Sequence, residues 1–293
     1  MSKKYKTNIE LQVLEDSPLL EFLYVSIKGK SKNNIKSLLG RGNILINNKI
    51  VKSFDYPLKK GQIVMIKMAQ ISDGYDNSLD IIYEDDDLVV INKSAGLLSV
   101  STTNEKINTA YKMVMEYVKK QNPRLKLFVV HRLDRETSGI LMFAKKENVK
   151  IQLQENWNEL IKKRSYIGIV EGNVLKEKDT IRSWLKESKT MVVYSSHKKD
   201  DGKEAITHYE KLKNNSEYSL LRLELETGRK NQIRVHMKDI GHSIVGDKKY
   251  SSTTNPLKRL GLHAHILELE HPITKKTMVF EAEIPALFLK MFK

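Results

Sequence analysis

The residues best equipped for chemistry stand together at His131-Arg132-Leu133-Asp134-Arg135-Glu136-Thr137-Ser138-Gly139. Five of these nine can carry charge, and Asp134 lies between Arg132 and Arg135. A carboxylate held near guanidinium groups stays ionised at neutral pH, because opposite charge favours the charged form. Such a group is a poor general base but a usable nucleophile or electrostatic stabiliser. The same residues would also serve as a plain surface ion-pair cluster capping two strands. Charge alone leaves both readings open.

The flanking sequence says how these residues are held. Leu127-Phe128-Val129-Val130 leads in and Ile140-Leu141-Met142-Phe143-Ala144 leads out. Both runs are short and rich in β-branched or aromatic residues, which predicts buried strands with the polar stretch as a connection at a sheet edge. Ser165 to Val170 alternates as a strand and sets Tyr166, Gly168 and Val170 on one face. A tyrosine there is either packing or function. Leu220 to Leu225 predicts another strand, running into Thr227-Gly228-Arg229-Lys230-Asn231-Gln232-Ile233-Arg234-Val235-His236. Ile233, Met237 and Ile240 have helical spacing, and Gly241 closes the helix. Arg229 therefore falls near a helix N-terminus, where it can clamp an anion or cap the helix. His263 and His265 share a strand face and with Asp134 can in principle ligate zinc, but no standard ligand spacing supports a metal site.

His-Arg-Leu-Asp, two further residues and Thr-Ser-Gly before an apolar strand resemble the motif around the catalytic aspartate of the RluA-type pseudouridine synthases. Further stretches continue the resemblance, Gly246-Asp247 and Tyr250 among them. Arg164-Ser165-Tyr166 with Val170 and Gly172 matches the segment carrying that family's active-site tyrosine. Residues 227–236 match its Thr-Gly-Arg-x-His-Gln-Ile/Leu-Arg-Val-His pattern, with Asn231 in place of His. Lys93-Ser94-Ala95-Gly96 matches Lys-Pro-x-Gly, with Ser94 in place of Pro. The resemblance implies an α+β fold, with a large mixed, mainly antiparallel β-sheet catalytic domain and a small N-terminal α/β RNA-binding domain. It implies isomerisation of uridine to pseudouridine in RNA, of the large ribosomal subunit, with no cofactor and no metal. Asp134 would be the essential carboxylate and Arg234 its ionic partner. Tyr166 would stack on the base and can move a proton, while Arg132 helps extrude the nucleotide and Arg229 contacts RNA.

The N-terminal quarter has its own character. Ser17-Pro18 predicts a helix start, Ser31 to Gly40 a second short helix with Ile35, Leu38 and Leu39 inward, and Asn47-Asn48 a tight hairpin turn. Another strand is expected over Ile63 to Met68. Residues 1–70 hold 13 basic against 5 acidic residues. A solvated face usually mixes charge signs, so this bias fits phosphate-backbone binding, with Lys32, Lys36 and Arg41 as candidate contacts. The order of elements resembles the RNA-binding domain named after the fourth small-subunit ribosomal protein. The expected organisation is residues 1–71 as this domain, 72–80 as a linker and 81–293 as the catalytic domain.

Composition narrows the function classes. Of 293 residues, 51 are Lys or Arg and 36 are Asp or Glu, a net charge of +15 that favours a polyanionic partner. No apolar run approaches the ~20 residues of a spanning helix, and no apolar signal core follows the basic start. The absence of cysteine excludes disulfides and thiolate chemistry. A cytoplasmic monomer is expected. Further along, Ile81–Tyr83 and Leu88–Ile91 predict paired strands, Thr109–Lys120 a helix, Val149–Ile161 one amphipathic helix, and 195–204 an exposed loop. A non-catalytic RNA-binding protein would share this charge pattern. The joint presence of Asp134, Tyr166 and Arg234 favours the enzyme. A metal-dependent RNA hydrolase using His131, Asp134 and His265 is a third reading.

Overall fold

The computed structural model describes residues 9–27, 35–36, 38–39, 43–47, 49–51, 53–66, 79–101 and 109–292. It divides into two units, Met1–Gly74 and Tyr75–Lys293. In the first, strands β1 (Ile9–Gln12), β3 (Ile44–Ile46), β4 (Lys49–Ile50) and β6 (Ile63–Ile66) form a sheet in the order β1-β6-β3-β4. A two-stranded pair, β2 (Ser17–Pro18) with β5 (Pro57–Leu58), lies beside helix α1 (Leu19–Ser26). The helix therefore starts after Ser17-Pro18, not at it. Its first amides donate to backbone carbonyls, Leu19 N to Tyr56 O and Leu20 N to Phe54 O, so no serine cap is needed. Leu19, Leu23, Ile35, Leu39, Val64 and Ile66 share one core. Ile35, Lys36, Leu38 and Leu39 are helical, and Asn47 turns the hairpin at φ 50°. The other residues of the expected second helix, including Lys32, as well as Arg41, Asn48 and Met68, lie outside the described residues.

The second unit is organised on one large sheet. Its strands are β7 (Ile81–Glu84), β8 (Leu88–Lys93), β9 (Phe128–Val129), β10 (Ser138–Ala144), β11 (Ile161–Glu171), β12 (Lys178–Glu187), β13 (Val193–Ser196), β14 (Lys203–Asn214), β15 (Tyr218–Leu225), β16 (Leu262–Glu270) and β17 (Thr277–Glu281). The order is β13-β12-β14-β15-β11-β16-β10-β8-β7, with β17 on β16 and β9 on β10. Of the strand pairs, β10 with β16 is parallel and the others are antiparallel.

The chemistry-bearing connection thus feeds an interior strand, not a sheet edge: β10 runs between β8 and β16. Both its faces are covered. Ile140, Met142 and Ala144 pack with Val149 and Leu153 of α3 (Glu147–Glu155), while Leu141 and Phe143 pack with Val114 and Val118 of α2 (Ala110–Gln121). That is why β10 reads as an unbroken apolar run. At its start, Gly139 has φ 108°, and a Cβ there would lie 2.1 Å from the Ala264 carbonyl oxygen. Only glycine lets β10 and β16 approach this closely.

Two further expectations are corrected. The helix predicted over 149–161 breaks at Asn156, whose side-chain amide donates to Gln152 O; α4 (Trp157–Leu160) follows, and Ile161 already belongs to β11. The loop predicted over 195–204 is shorter, because Ser195 and Ser196 pair with β12 and Lys203 opens β14. Asp201 folds it back by accepting from Ser196 Oγ and Lys186 Nζ. No helix among the described residues is long and apolar enough to cross a membrane.

Three histidines tie the elements together. His131 Nε2 accepts from Met142 N at 3.0 Å, His236 sits between Thr207 Oγ1 and Ser183 Oγ, and His263 Nδ1 meets Ser138 Oγ at 2.8 Å. Burial pulls each of them down to about 4 from an ordinary value of 6.5. An unfolded chain therefore binds protons between about pH 6.5 and 4 that the fold refuses, so stability is complete above that window and is lost as pH falls through it. Urea midpoints should already drop between pH 6.5 and 5, above the range where most carboxylates titrate. A flat profile there would show that the fold accepts these protons.

Candidate active site

The loop that carries Asp134 is clamped from below. Ser99 Oγ donates to Leu133 O at 2.8 Å and accepts from Leu133 N at 3.0 Å. Gly96 and Arg135 exchange two hydrogen bonds, Gly96 N to Arg135 O and Arg135 Nε to Gly96 O. Lys93, fully buried, donates to the carbonyls of Ser94, Leu97 and Arg135. Burial pulls its amine down to about 7, while three carbonyl acceptors match the three N–H bonds of the ammonium and favour the cation. Sequence reasoning noted the Lys93–Gly96 segment but missed this role. The visible signal was a lysine ending the apolar strand β8, where an unpaired charge would be costly.

Asp134 itself is a third exposed, at 32 %. The guanidinium that reaches it belongs to neither sequence neighbour. Arg132 is exposed, and Arg135 turns to Gly96 and Glu136. Instead Arg234, on the first turn of α5 (Gln232–Asp239), places Nη1 at 3.1 Å from Asp134 Oδ2. The same Nη1 donates to Asn231 Oδ1 at 3.0 Å. The other two nitrogens of Arg234 hold Asp247 in a fork, Nε to Oδ2 at 2.6 Å and Nη2 to Oδ1 at 2.7 Å. Burial alone would lower the guanidinium's pKa, but Asp247 and then Asp134 outweigh it and raise it further above its ordinary value. Arg234 is thus a fixed cation shared by two carboxylates.

Asn231 stands where the family pattern has histidine. It has φ 54°, a left-handed conformation that Asn tolerates better than most residues, and its Nδ2 donates to Tyr250 Oη at 3.0 Å. Tyr250 in turn lies under the Arg234 guanidinium at 4.9 Å from the ring centroid. Asp247, Tyr250 and Asn231 together form the rear wall that orients Arg234. Sequence reasoning named Asp247 and Tyr250 only as part of the resemblance, because nothing local shows that a Gly-Asp pair in a turn faces a helix.

A cavity of about 550 Å³ opens in front of this group, within the range of roughly 300–1,000 Å³ usual for small-molecule sites. It gathers Arg132, Asp134, Tyr166, Arg229, Asn231 and Arg234. Tyr166 enters from the face of β11 that packs against Ile233 and Met237 of α5. Burial raises its phenol above the ordinary value, with Asp134 adding to the shift, so it is a proton-bearing hydroxyl at neutral pH. Arg229 is exposed on the cavity rim, and its Nε donates to Glu204 O at 2.9 Å. Lys36 is exposed on the first unit.

The histidines do not converge on Asp134. His131 is engaged by Met142 N, and His263 and His265 by Ser138 Oγ and Ala282 O. A different trio, Asp85, Asp87 and His271, has the spacing of a metal site. His271 Nδ1 accepts from Ile273 N and Thr274 N, which puts the ring proton on Nε2, facing Asp85 Oδ2 at 3.2 Å. That nitrogen is then a donor with no lone pair for a cation.

Residues 87–239 match the family model described as RNA pseudouridylate synthase. The chain belongs to this family and is an RNA pseudouridine synthase. It is 32% identical over 275 residues to YhcT, an uncharacterized RNA pseudouridine synthase of Bacillus subtilis (strain 168), with 92% of this chain and 90% of the relative covered. It is 34% identical over 262 residues to ribosomal large subunit pseudouridine synthase C of Rickettsia felis, covering 86% of this chain and 82% of that one. In fold it is similar to the solved structure of human RNA pseudouridylate synthase domain containing 1, with a TM-score of 0.59 and 22% identity over 74% of this chain and 89% of that one.

Asp247→Asn tests the rear wall. It breaks a fork whose carboxylate is 1% exposed and leaves a largely buried guanidinium short of charge. The expected cost is about 3–5 kcal/mol, a fall in melting temperature on the order of 10 °C for a unit of this size. An unchanged melting temperature would show that Asp134 and Asn231 suffice to hold Arg234.

Proposed function

We propose that this enzyme modifies uridines of large-subunit ribosomal RNA, with Asp134 as the carboxylate that attacks the nucleotide or stabilises the positive charge developing on its sugar. The observation that carries the assignment is the ion pair of Asp134 with Arg234, residues 100 apart in sequence that meet in the wall of one cavity with Tyr166. The reaction exchanges one bond for another. The bond from C1′ to N1 breaks, the base turns while held, and a bond from C1′ to C5 forms. The proton on C5 leaves and N1 regains one. A carboxylate oriented by a fixed cation suits the first step, because it is in position before the sugar becomes positive. The Tyr166 ring offers a surface for the turning base and its hydroxyl a proton carrier. Relatives named as ribosomal large subunit synthases, including synthase D of Borreliella burgdorferi at 32% identity, support RNA of that subunit as the substrate.

The first unit serves on this reading as the docking element, in the manner of the ribosomal-protein-like domain that it resembles. Its excess of 13 basic over 5 acidic residues supports binding to phosphate. Binding energy gathered there offsets the few kcal/mol needed to draw a uridine out of its stack.

Loss of the C5 proton supplies the assay. A large-subunit ribosomal RNA transcript made with [5-³H]uridine should release tritium when the enzyme is added. Changing Lys32, Lys36 and Arg41 together to Ala should weaken RNA binding and flatten the slope of log affinity against log salt by about 2, at about 0.7–0.9 per phosphate contact. No tritium release would contradict the substrate. An unaltered slope would remove these three residues from the docking face.

A further inference from the structure

One apolar residue at the mouth of the cavity has no part in the arrangement above. Met191 sits at the turn between β12 and β13 and lines the same cavity as Asp134 and Arg234. It is 63% exposed, and its neighbour Val192 is 37% exposed. A single exposed methionine is ordinary. Its backbone is not, for Met191 has φ 61°. The other non-glycine residues with positive φ among those described are Asn47, Asp200, Asn231, Ser251, Lys258 and Lys275, all polar. Glycine or asparagine would make this turn with less strain, so a long apolar side chain here is held at a cost to the fold.

The turn is also well fixed. Met191 N donates to Ser188 O at 2.9 Å, Val192 N donates to Ser188 Oγ at 3.1 Å, and Lys249 Nζ donates to Met191 O at 3.2 Å. Lys230 ties the strand below through Glu187. The setting is cationic, with Arg229, Lys230 and Lys249 close by and Lys189 exposed at the tip. A protein partner for an apolar tip would want an apolar surround; a ring of cations instead fits a polyanion whose bases are apolar on their faces.

We propose that Met191 is an RNA-contacting wedge, which enters the base stack beside the target nucleotide and occupies the gap left when the uridine turns into the cavity. The inference rests on the proposed reading that the cavity receives an extruded uridine. Unstacking a base exposes the faces of its neighbours to water, and an apolar side chain in the gap covers them again. Methionine suits the task because its unbranched, polarisable chain adapts to whichever bases flank the site. A strained, anchored turn presents that chain ready for use, without ordering it at the moment of binding.

Two arms test this on the full-length chain with the large-subunit ribosomal RNA transcript. Met191→Gly deletes the wedge and relaxes the turn, so its melting temperature should stay at or above that of the unmodified protein. Tritium release at subsaturating RNA should fall at least tenfold, and Met191→Leu should recover most of the loss. Release by Met191→Gly within twofold of the unmodified protein would overturn the wedge. The second arm needs no turnover. The chain has no cysteine, so Met191→Cys offers a single thiol for an environment-sensitive fluorophore. Its emission should shift strongly at RNA concentrations where filter binding shows the complex formed. A silent label on bound RNA would overturn the wedge even if the transcript is never converted, whereas a responding label without conversion would support the contact and count against the substrate.

Discussion

The site depends on one guanidinium shared between two carboxylates. Arg234 gives a two-pronged grip to the buried Asp247 and a single, longer contact to the more exposed Asp134. The inequality matters. A carboxylate gripped on both oxygens in a buried fork is fixed and unavailable, whereas one held through a single nitrogen keeps an oxygen free to meet a substrate. Charging a buried arginine is costly unless its partners are already in place, so Asp247 keeps Arg234 charged and oriented when Asp134 is drawn toward another atom. Asn231 and the Tyr250 ring complete the setting from the other sides.

The scaffold's task is to bring residues from distant parts of the chain to that guanidinium. Asp134 comes from the loop before β10, Tyr166 from β11, and Arg234 from α5, which packs on the β11 face bearing Tyr166. Helices on both faces of β10 and glycine at the β10–β16 junction fix the end of the strand from which the loop departs. The loop is then stiffened by Lys93 and Ser99 from below. Precision at the carboxylate thus comes from a buried strand and a clamped backbone.

Much of this was legible in the chain itself. The strands β8, β10, β11 and β15 stand out as apolar or alternating runs, and α2 as a periodic helix with a threonine cap, Thr109 Oγ1 accepting from Lys112 N. Patterns of that kind are local and physical, so they survive into the fold. What failed was of two sorts. Boundaries set by a single side chain were misplaced, as at Asn156, which ends α3, and at Ser17, whose capping role is taken by carbonyls of residues 54 and 56. Partnerships set by topology were also hidden. Local charge suggested Arg132 and Arg135 as the companions of Asp134, yet the contact comes from Arg234, and only the resemblance named it. The roles of Lys93 and Asp247 stayed hidden for the same reason: the resemblance names both segments, but nothing local shows the carbonyls that Lys93 meets or the guanidinium that Asp247 holds.

The central claim is that the Asp134 carboxylate, paired with Arg234, performs or stabilises the cleavage of the bond from C1′ to N1. Asp134→Asn is nearly unchanged in volume and leaves the Asp247 fork in place, so the fold and RNA binding should persist. A neutral amide is a far weaker nucleophile and cannot offset positive charge on the sugar. The decisive measurement is tritium release from the [5-³H]uridine transcript by this variant, run at RNA concentrations where filter binding confirms the complex. Bound RNA with no release above background is the predicted result. Release at a rate near that of the unmodified enzyme would contradict the assignment.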